Sequence, residues 1–358
     1  MSDISKIDQN FKVSRCNTDG KFISIDEPPF KIYGVMRDDK GYCRMPQEIA
    51  DRVNDGVKVL NRNTSGGIVR FSTNSPTLAL KAENPVDCHI FQSMALCGAD
   101  GFAAYEAEHL LSFYCPVIPI EDFCEEKSLC YAEQERLCST DGFHDITLYM
   151  PLYGAYEKIS LKVADGCEIR PAKNFRNEKP VVFYGSSITQ GGNASSPAGS
   201  YVNLISRELD IYCVNLGFSG SARGEEEMAN YIAGLDMSAF VLDYEHNAPT
   251  LEHLENTHKK FFDIIRSKNP QLPIIIASAI PRIGGSKEIT DKWRNVIFST
   301  YKAALDAGDK NVYFLNGEDF FSKEVPMDIC TTDCLHPNDI GMRMMAKGFE
   351  SVLRKLKF

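Results

Sequence analysis

The sequence predicts an α/β chain in two parts, an all-β sandwich over residues 1–168 and, after a linker at 169–179, a doubly wound parallel-sheet domain over 180–358. Three observations predict it. Through the first part, apolar residues fall in short runs punctuated by turns, the texture of a sandwich. After Pro180, short apolar runs alternate with stretches of helical period, which is how a parallel sheet with crossover helices reads. Between them residues 170–180 are polar, carry two prolines and have little periodicity.

In the first part, residues 67–72 read Gly-Ile-Val-Arg-Phe-Ser, residues 77–81 alternate, and residues 145–152 read Asp-Ile-Thr-Leu-Tyr-Met-Pro-Leu. These are strands by composition and period. Asn63-Thr-Ser-Gly-Gly67 and Asn74-Ser-Pro76 mark turns, and residues 46–60 predict one short helix. In the second part, runs at 181–184, 212–216, 240–242, 274–277 and 312–315 are short enough for strands buried on both faces. Tyr201, Leu204 and Ile205, then Phe261, Ile264 and Ile265, then Ile297, Tyr301 and Leu305 supply the helical spacing between them.

Composition excludes several classes of function. The chain has 358 residues, 43% of them apolar, enough for a sizeable core, and a formal charge of −10 that repels phosphate backbones and anionic lipid. Neither nucleic acid nor membrane is an expected partner. No apolar run approaches membrane-spanning length and the first residues lack an apolar leader, so a cytoplasmic location is expected. The 12 cysteines are irregularly spaced without a Cys-x-x-Cys pair, which predicts reduced thiols. Cys330, Cys334 and His336 lack a clear fourth ligand, so no metal is expected. The 185–192 loop resembles a phosphate cradle but lacks the Gly-Lys-Ser/Thr ending, so no nucleotide or other cofactor is expected.

In doubly wound sheets, ligands sit beyond the carboxyl ends of the strands. Gly185-Ser-Ser-Ile188 follows the first predicted strand, Gly217-Phe-Ser-Gly220 the second, and Asp243-Tyr-Glu-His-Asn247 the third; Asp333 and His336 follow the fifth after a longer loop. All four are therefore expected to meet in one crevice. A serine hydroxyl needs a base within hydrogen-bond reach and a third group to hold that base in the right tautomer. Ser187, His336 and Asp333 are the candidates for nucleophile, base and orienting carboxylate. Attack on an ester carbonyl places negative charge on its oxygen, and preorganised donors there contribute several kcal/mol, roughly 3 each. The Ser187 N–H, the Gly220 N–H and the Asn247 side-chain amide are the oxyanion-hole candidates.

These blocks, in this order, resemble those of the SGNH hydrolases, also called the GDSL esterase family. Gly185-Ser186-Ser187-Ile188 is similar to the nucleophile block, Gly220 to the glycine block, Asn247 to the asparagine block and Asp333-x-x-His336 to the last block, so the resemblance covers the chain from Pro180 onward. Ser186 stands where most members have aspartate, and Glu245-His246 where many have glycine. Residues 184–192, 215–220 and 142–153 are also similar to a two-domain branch whose hydrolase domain follows a jelly-roll. That resemblance implies an SGNH hydrolase domain preceded by a jelly-roll-like sandwich, and esterase action on acylated small molecules, often O-acetylated sugars, with acyl transfer in some members.

Each residue also has an ordinary reading. Ser187 can cap the helix that follows, Gly220 can serve a turn only, and Asn247 can be an Asx-turn residue before Ala248-Pro249. His246 is assigned to a supporting or exposed position, outside catalysis. Arg223 and Glu225 read as solvated residues opening a helix, and Asp243 as an anchor for its loop. His89, His109 and His144 are assigned to structure or surface. Arg44, Arg70 and residues 61–63 can line a glycan-contacting face, but alternating polar residues on a half-exposed sheet explain themselves, and that ordinary reading is preferred.

The expectation is a metal-independent serine esterase that hydrolyses carboxylic esters through an acyl-enzyme on Ser187. Short O-acyl groups on carbohydrate or another small molecule, including oligosaccharide esters, are its expected substrates. An acyltransferase using the same triad, a non-catalytic glycan-binding protein and a lipid-directed lipase are the competing readings. The oligomeric state is not specified by the sequence.

Overall fold

The structure, a computed structural model, describes residues 19–86, 92–114, 129–134 and 142–358. Its carboxy-terminal half is organised by five parallel strands, β1 (Val181–Gly185), β2 (Cys213–Gly217), β3 (Ala239–Asp243), β4 (Ile274–Ala277) and β5 (Val312–Leu315), in the order β2-β1-β3-β4-β5. Six helices accompany them: α1 (Ser187–Gln190), α2 (Tyr201–Leu209), α3 (Glu226–Ala233), α4 (Leu251–Lys268), α5 (Lys287–Asp306) and α6 (Asp339–Leu353). Successive side chains of a strand point to opposite faces. In β1, Val182 and Tyr184 therefore join one core, with Met228, Leu254, Phe261 and Ile297 from α3, α4 and α5. Val181 and Phe183 join the other, with Tyr201, Ile205, Met342 and Phe349 from α2 and α6. Both faces being covered, all five residues of β1 are buried, and the strand reads as an unbroken apolar run.

The order of the strands places the functional segments. Gly185 of β1 is level with Gly217 of β2 on one side and with Asp243 of β3 on the other. The chain therefore leaves all three strands at the same height, at the point where the winding direction reverses. That is the crevice in which such sheets bind ligands.

Among the described residues, the amino-terminal half carries two larger antiparallel sheets and a small two-stranded one that pairs Met36–Asp38 with Gly41–Cys43. Of the larger two, one orders Ile23–Ser24, Ala155–Val163, Leu78–Val86 and Leu129–Gln134; the other orders Ile169–Arg170, Ile68–Thr73, His144–Tyr149, Phe102–Glu106 and His109–Tyr114, with Lys31–Tyr33 also pairing to Ile68–Thr73. Leu80, Ile159 and Leu161 of the first sheet and Val69, Phe71, Ile146 and Leu148 of the second share one core, so the two sheets form a sandwich. The Ile68–Thr73 strand is buried at every position rather than alternately. Its outward Ile68, with Ala103 and Tyr149, packs on Phe175, Ala198 and Tyr212, so the second sheet is covered by the other half of the molecule.

One expectation is corrected here. The single helix read at 46–60 is two, Gln47–Val53 and Asp55–Leu60, so the first half is not purely β. Asn54 is fully extended and its side chain accepts the Val57 N–H at 2.9 Å, ending one helix and capping the next. Met45, Ala50, Val57 and Leu60 then pack into the core that includes Val182, Tyr184 and Leu216. The polar stretch after residue 169 contributes the Ile169–Arg170 strand and buries Ala172, Phe175 and Asn177.

Candidate active site

At the end of β1 the backbone turns so sharply that residue 185 has no room for a side chain. A Cβ on Gly185 would stand 2.0 Å from Thr189 Oγ1 and 2.4 Å from the Asp243 carbonyl oxygen. Ser186 then caps α1, its hydroxyl accepting the Ile188 N–H at 3.2 Å. The capping task thus falls to Ser186, and Ser187 is free to project from the first turn. Its Oγ lies 2.8 Å from His336 Nε2.

The His336 loop is held from several sides. Cys334 adopts a left-handed conformation, φ 68°. This tightens the turn so that Asp333 Oδ1 accepts the N–H groups of Leu335, at 3.1 Å, and His336, at 2.7 Å. The other carboxylate oxygen, Oδ2, is 2.7 Å from His336 Nδ1. Thr331 Oγ1 donates to the His336 carbonyl at 2.8 Å, and the Ile283 N–H donates to the Cys334 carbonyl at 3.0 Å. Partial burial alone would raise the Asp333 carboxyl, but the His336 N–H, the imidazole and the Leu335 N–H outweigh it and hold the group below the usual carboxylate range. Asp333 therefore stays ionised beside Nδ1, which fixes the tautomer that leaves Nε2 facing Ser187. The structure brings Ser187, His336 and Asp333 into one hydrogen-bonded line.

The loop after β2 uses nearly all of its peptide groups internally. The Gly217 N–H donates to Asn215 Oδ1 at 2.8 Å, the Phe218 N–H to the Gly185 carbonyl at 2.9 Å, and the Ser219 N–H to Gln190 Oε1 at 3.0 Å. The Phe218 carbonyl receives the Ser221 and Ala222 N–H groups and Asn247 Nδ2, the last at 2.9 Å. Gly220 sits at φ 66°, a conformation that favours glycine, and a Cβ there would meet nothing within 4 Å. Among the described residues, no group accepts the Gly220 N–H or the Ser187 N–H. Asn247 closes a short 3₁₀ turn, Glu245–Asn247, directly beyond β3. The bond to Phe218 fixes its amide plane and leaves a second amide hydrogen for a ligand. The three oxyanion-hole candidates thus lie on adjoining segments.

Asp243 anchors its loop, accepting from Tyr201 Oη at 3.0 Å and Thr189 Oγ1 at 3.3 Å; burial raises its pKa to about 7. Glu245 is buried too, accepts the Ala279 N–H at 2.8 Å, and is likewise raised to about 7 by burial. His246 carries a solvent-shielded Nε2 without a partner, and burial, then the charges of His336 and Arg282, lower its pKa to about 4. It is therefore a neutral imidazole at neutral pH.

Two of the ordinary readings need correction. Glu225 is not a free solvated side chain: it accepts from Tyr184 Oη at 3.0 Å and from Asn54 Nδ2 at 2.6 Å. Arg44, Asn61 and Asn63 do not lie on a half-exposed face, because all three are buried. Arg70 is covered as well, stacked 4.4 Å over Phe175 and paired with Asp210 at 3.1 Å. Of the histidines set aside, His109 is exposed, His144 pairs with Glu106 at 2.7 Å, and His89 lies outside the described residues.

Residues not singled out from the sequence also surround the site. Gln190 is fully buried and joins α1 to the Ser219 N–H and to Asn63 Oδ1, the latter at 3.0 Å. Tyr153 Oη approaches the Ser187 carbonyl at 3.4 Å, and Ser93 Oγ approaches Asp333 Oδ2 at 3.5 Å. Tyr153 and Ser93 belong to the amino-terminal half, so that half reaches the triad. Among the described residues, no group of three or more His, Cys, Asp and Glu side chains could hold a metal ion, and no helix is long and apolar enough to cross a membrane.

Comparison with known proteins agrees with this architecture. Residues 178–354 match the GDSL-like lipase/acylhydrolase family, and residues 21–169 match the family described as the amino terminus of SGNH-hydrolase-type esterases. The chain belongs to the GDSL-like lipase/acylhydrolase family and is a serine hydrolase of the SGNH type. Among solved structures it is similar to a Bacteroides ovatus protein described as a GDSL-like lipase, with 24% identity, TM-score 0.82, and coverage of 95% of this chain and 99% of that one. It is also similar to a salicylyl-acyltransferase from a tetracycline biosynthetic pathway, at 18% identity, TM-score 0.76, and 95% and 98% coverage. A third is an acetyl xylan esterase from the rumen bacterium Butyrivibrio proteoclasticus, at 12% identity, TM-score 0.60, and 94% and 98% coverage. At these identities the likeness concerns the fold. No curated protein matches the chain.

Proposed function

We propose that this serine hydrolase is an esterase that removes short acyl groups, acetyl foremost, from the hydroxyls of a carbohydrate or another small polyol, through an acyl-enzyme on Ser187. One observation carries the reading: the line from Ser187 Oγ through the His336 imidazole to Asp333, at 2.8 and 2.7 Å, lies beside a loop whose Gly220 N–H is left without an acceptor. His336 Nε2 takes the Ser187 proton as Oγ attacks the ester carbon. The oxygen that becomes negative is held by the Ser187 and Gly220 N–H groups and the free amide hydrogen of Asn247. His336 returns the proton to the departing alcohol, and a water activated by the same imidazole releases the acid. Asp333 remains ionised throughout and stabilises the imidazolium.

The carbohydrate ester is supported by the fold shared with the acetyl xylan esterase, and acyl transfer by the fold shared with the salicylyl-acyltransferase. Both outcomes use the same acyl-enzyme and differ in whether water or an acceptor alcohol resolves it. A cytoplasmic location belongs to the same proposal, supported by the unpaired thiols of Cys43, Cys167, Cys213, Cys330 and Cys334.

The test is labelling by a fluorophosphonate probe with parallel hydrolysis of p-nitrophenyl acetate. Wild type should label and turn over, and Ser187→Ala should do neither. An unlabelled, inactive wild type would instead favour a non-catalytic glycan-binding protein. Product partition with an added acceptor alcohol separates hydrolysis from transfer, and acyl chain-length dependence separates a short-acyl esterase from a lipase.

A further inference from the structure

The least expected feature of the interface is a buried cation at the oxyanion loop, supplied by the other half of the molecule. Arg44 lies just beyond the short Gly41–Cys43 strand and is 2% exposed. Its guanidinium reaches across to the end of β2, where Nη1 donates to the Gly217 carbonyl and lies 3.4 Å from the Asn215 carbonyl. Nη2 donates to the Leu60 carbonyl at 2.6 Å, and the guanidinium carbon stands 4.2 Å over the Phe218 ring. Among the described residues, no carboxylate partners it and its Nε has no acceptor. Taking a cation out of water is unfavourable, and an apolar side chain of similar size would fill the same space without that cost, so burial alone does not account for the choice of residue.

What the guanidinium touches does account for it. Gly217 and Phe218 are the two residues that launch the loop carrying Gly220, and the Phe218 carbonyl is also the acceptor that orients Asn247. A second grip runs in parallel. Asn63 Oδ1 accepts from Gln190 Nε2 at 3.0 Å, Asn63 Nδ2 donates to the Tyr153 carbonyl at 2.7 Å, and Gln190 Oε1 accepts the Ser219 N–H at 3.0 Å. Asn54 adds a third contact through the Ser221 carbonyl at 2.9 Å.

We infer that Arg44 and, through Gln190, Asn63 are positioning residues: the amino-terminal half sets the Gly217–Gly220 loop at the height where the Gly220 N–H and the Asn247 amide face the oxygen developing beside Ser187. This rests on the serine-esterase reading above, and it makes the sandwich a working part of the catalytic unit. Neither side chain contacts substrate. Burial lowers the Arg44 pKa to about 9, so the charge persists at neutral pH.

The experiment uses full-length Arg44→Met, Arg44→Lys and Asn63→Ala, with the concentration of competent sites fixed by fluorophosphonate titration. Turnover of p-nitrophenyl acetate is compared with inhibition by an aryl trifluoromethyl ketone, which forms a hemiketal oxyanion on the serine. Displacing the loop by an ångström lowers turnover per titrated site by roughly 10- to 100-fold. Arg44→Met should show that loss with KM nearly unchanged and with the ketone's inhibition constant raised in step. Arg44→Lys, which can still donate to the Gly217 carbonyl, should recover part of both.

Unchanged turnover per site and unchanged ketone inhibition in Arg44→Met would overturn the inference, because a purely structural residue alters only the number of competent sites. Should Arg44→Met not accumulate, Asn63→Ala decides in the same way: a fall of roughly threefold or more, matched by weaker ketone binding, supports the inference, and no change overturns it. A wild type that neither labels nor hydrolyses defeats the underlying esterase reading before any substitution is compared.

Discussion

Replacing Asn247 with alanine tests the oxyanion assignment most directly, because the surroundings separate its chemical role from its structural one. Asn247 Nδ2 gives one hydrogen to the Phe218 carbonyl at 2.9 Å, which aligns the amide and leaves the second hydrogen for a ligand. After truncation that carbonyl still receives the Ser221 and Ala222 N–H groups, at 2.9 and 3.1 Å, so the turn stays closed. The loss therefore falls on the transition state. Removing one preorganised donor typically lowers turnover by a factor on the order of 100, or about 2.7 kcal/mol. The assay is steady-state hydrolysis of p-nitrophenyl acetate per titrated site. KM should move little, since the ground-state carbonyl oxygen is a weaker acceptor than the oxyanion. Thermal unfolding should shift by no more than a few degrees. Unchanged turnover would remove Asn247 from the oxyanion hole.

Two further outcomes follow from the packing around the site. Gly185→Ala should lose fluorophosphonate labelling and unfold at lower temperature, because its methyl would meet Thr189 Oγ1 at 2.0 Å and the Asp243 carbonyl at 2.4 Å, and that carbonyl belongs to β3; normal labelling would show that the nucleophile turn can relax. Glu245 is raised to about 7, so the folded protein holds a proton there that the unfolded chain has already released, and stability from this group declines as pH rises from about 4 to about 7. Glu245→Gln keeps the acceptor for the Ala279 N–H and should remove up to about 3 kcal/mol of that decline, seen as a flatter dependence of melting temperature on pH; an identical slope in variant and wild type would contradict the assigned burial.

Much of the hydrolase half is legible from sequence because a strand covered on both faces has no polar side to hide. The run read at 181–184 is the strand Val181–Gly185, and those read at 274–277 and 312–315 are the strands Ile274–Ala277 and Val312–Leu315. Tyr201, Leu204 and Ile205 lie on α2, and Phe261 and Ile265 on α4, facing the cores their spacing implies. Local rules also suffice for the last block, since Asp333 and His336 meet within a single turn. They fail where a polar residue finds its partner far along the chain. Arg44 finds an acceptor at Gly217, Asn63 a donor at Gln190 and Glu225 a donor at Asn54. Nothing in their own neighbourhoods separates them from solvated residues.

By itself, then, the sequence determined the strands and most of the helices of the hydrolase half and which polar residues follow each strand, because periodicity and the residues that follow each strand are local properties. Tertiary structure alone decided that Gly185, Gly217 and Asp243 stand level and that Ser187 faces His336. It also decided that the outer face of the second sandwich sheet is buried against the hydrolase half. The physical reason is that strand order and register come from burial and hydrogen bonding summed over the whole chain. A buried guanidinium and an exposed one are spelled by the same residue.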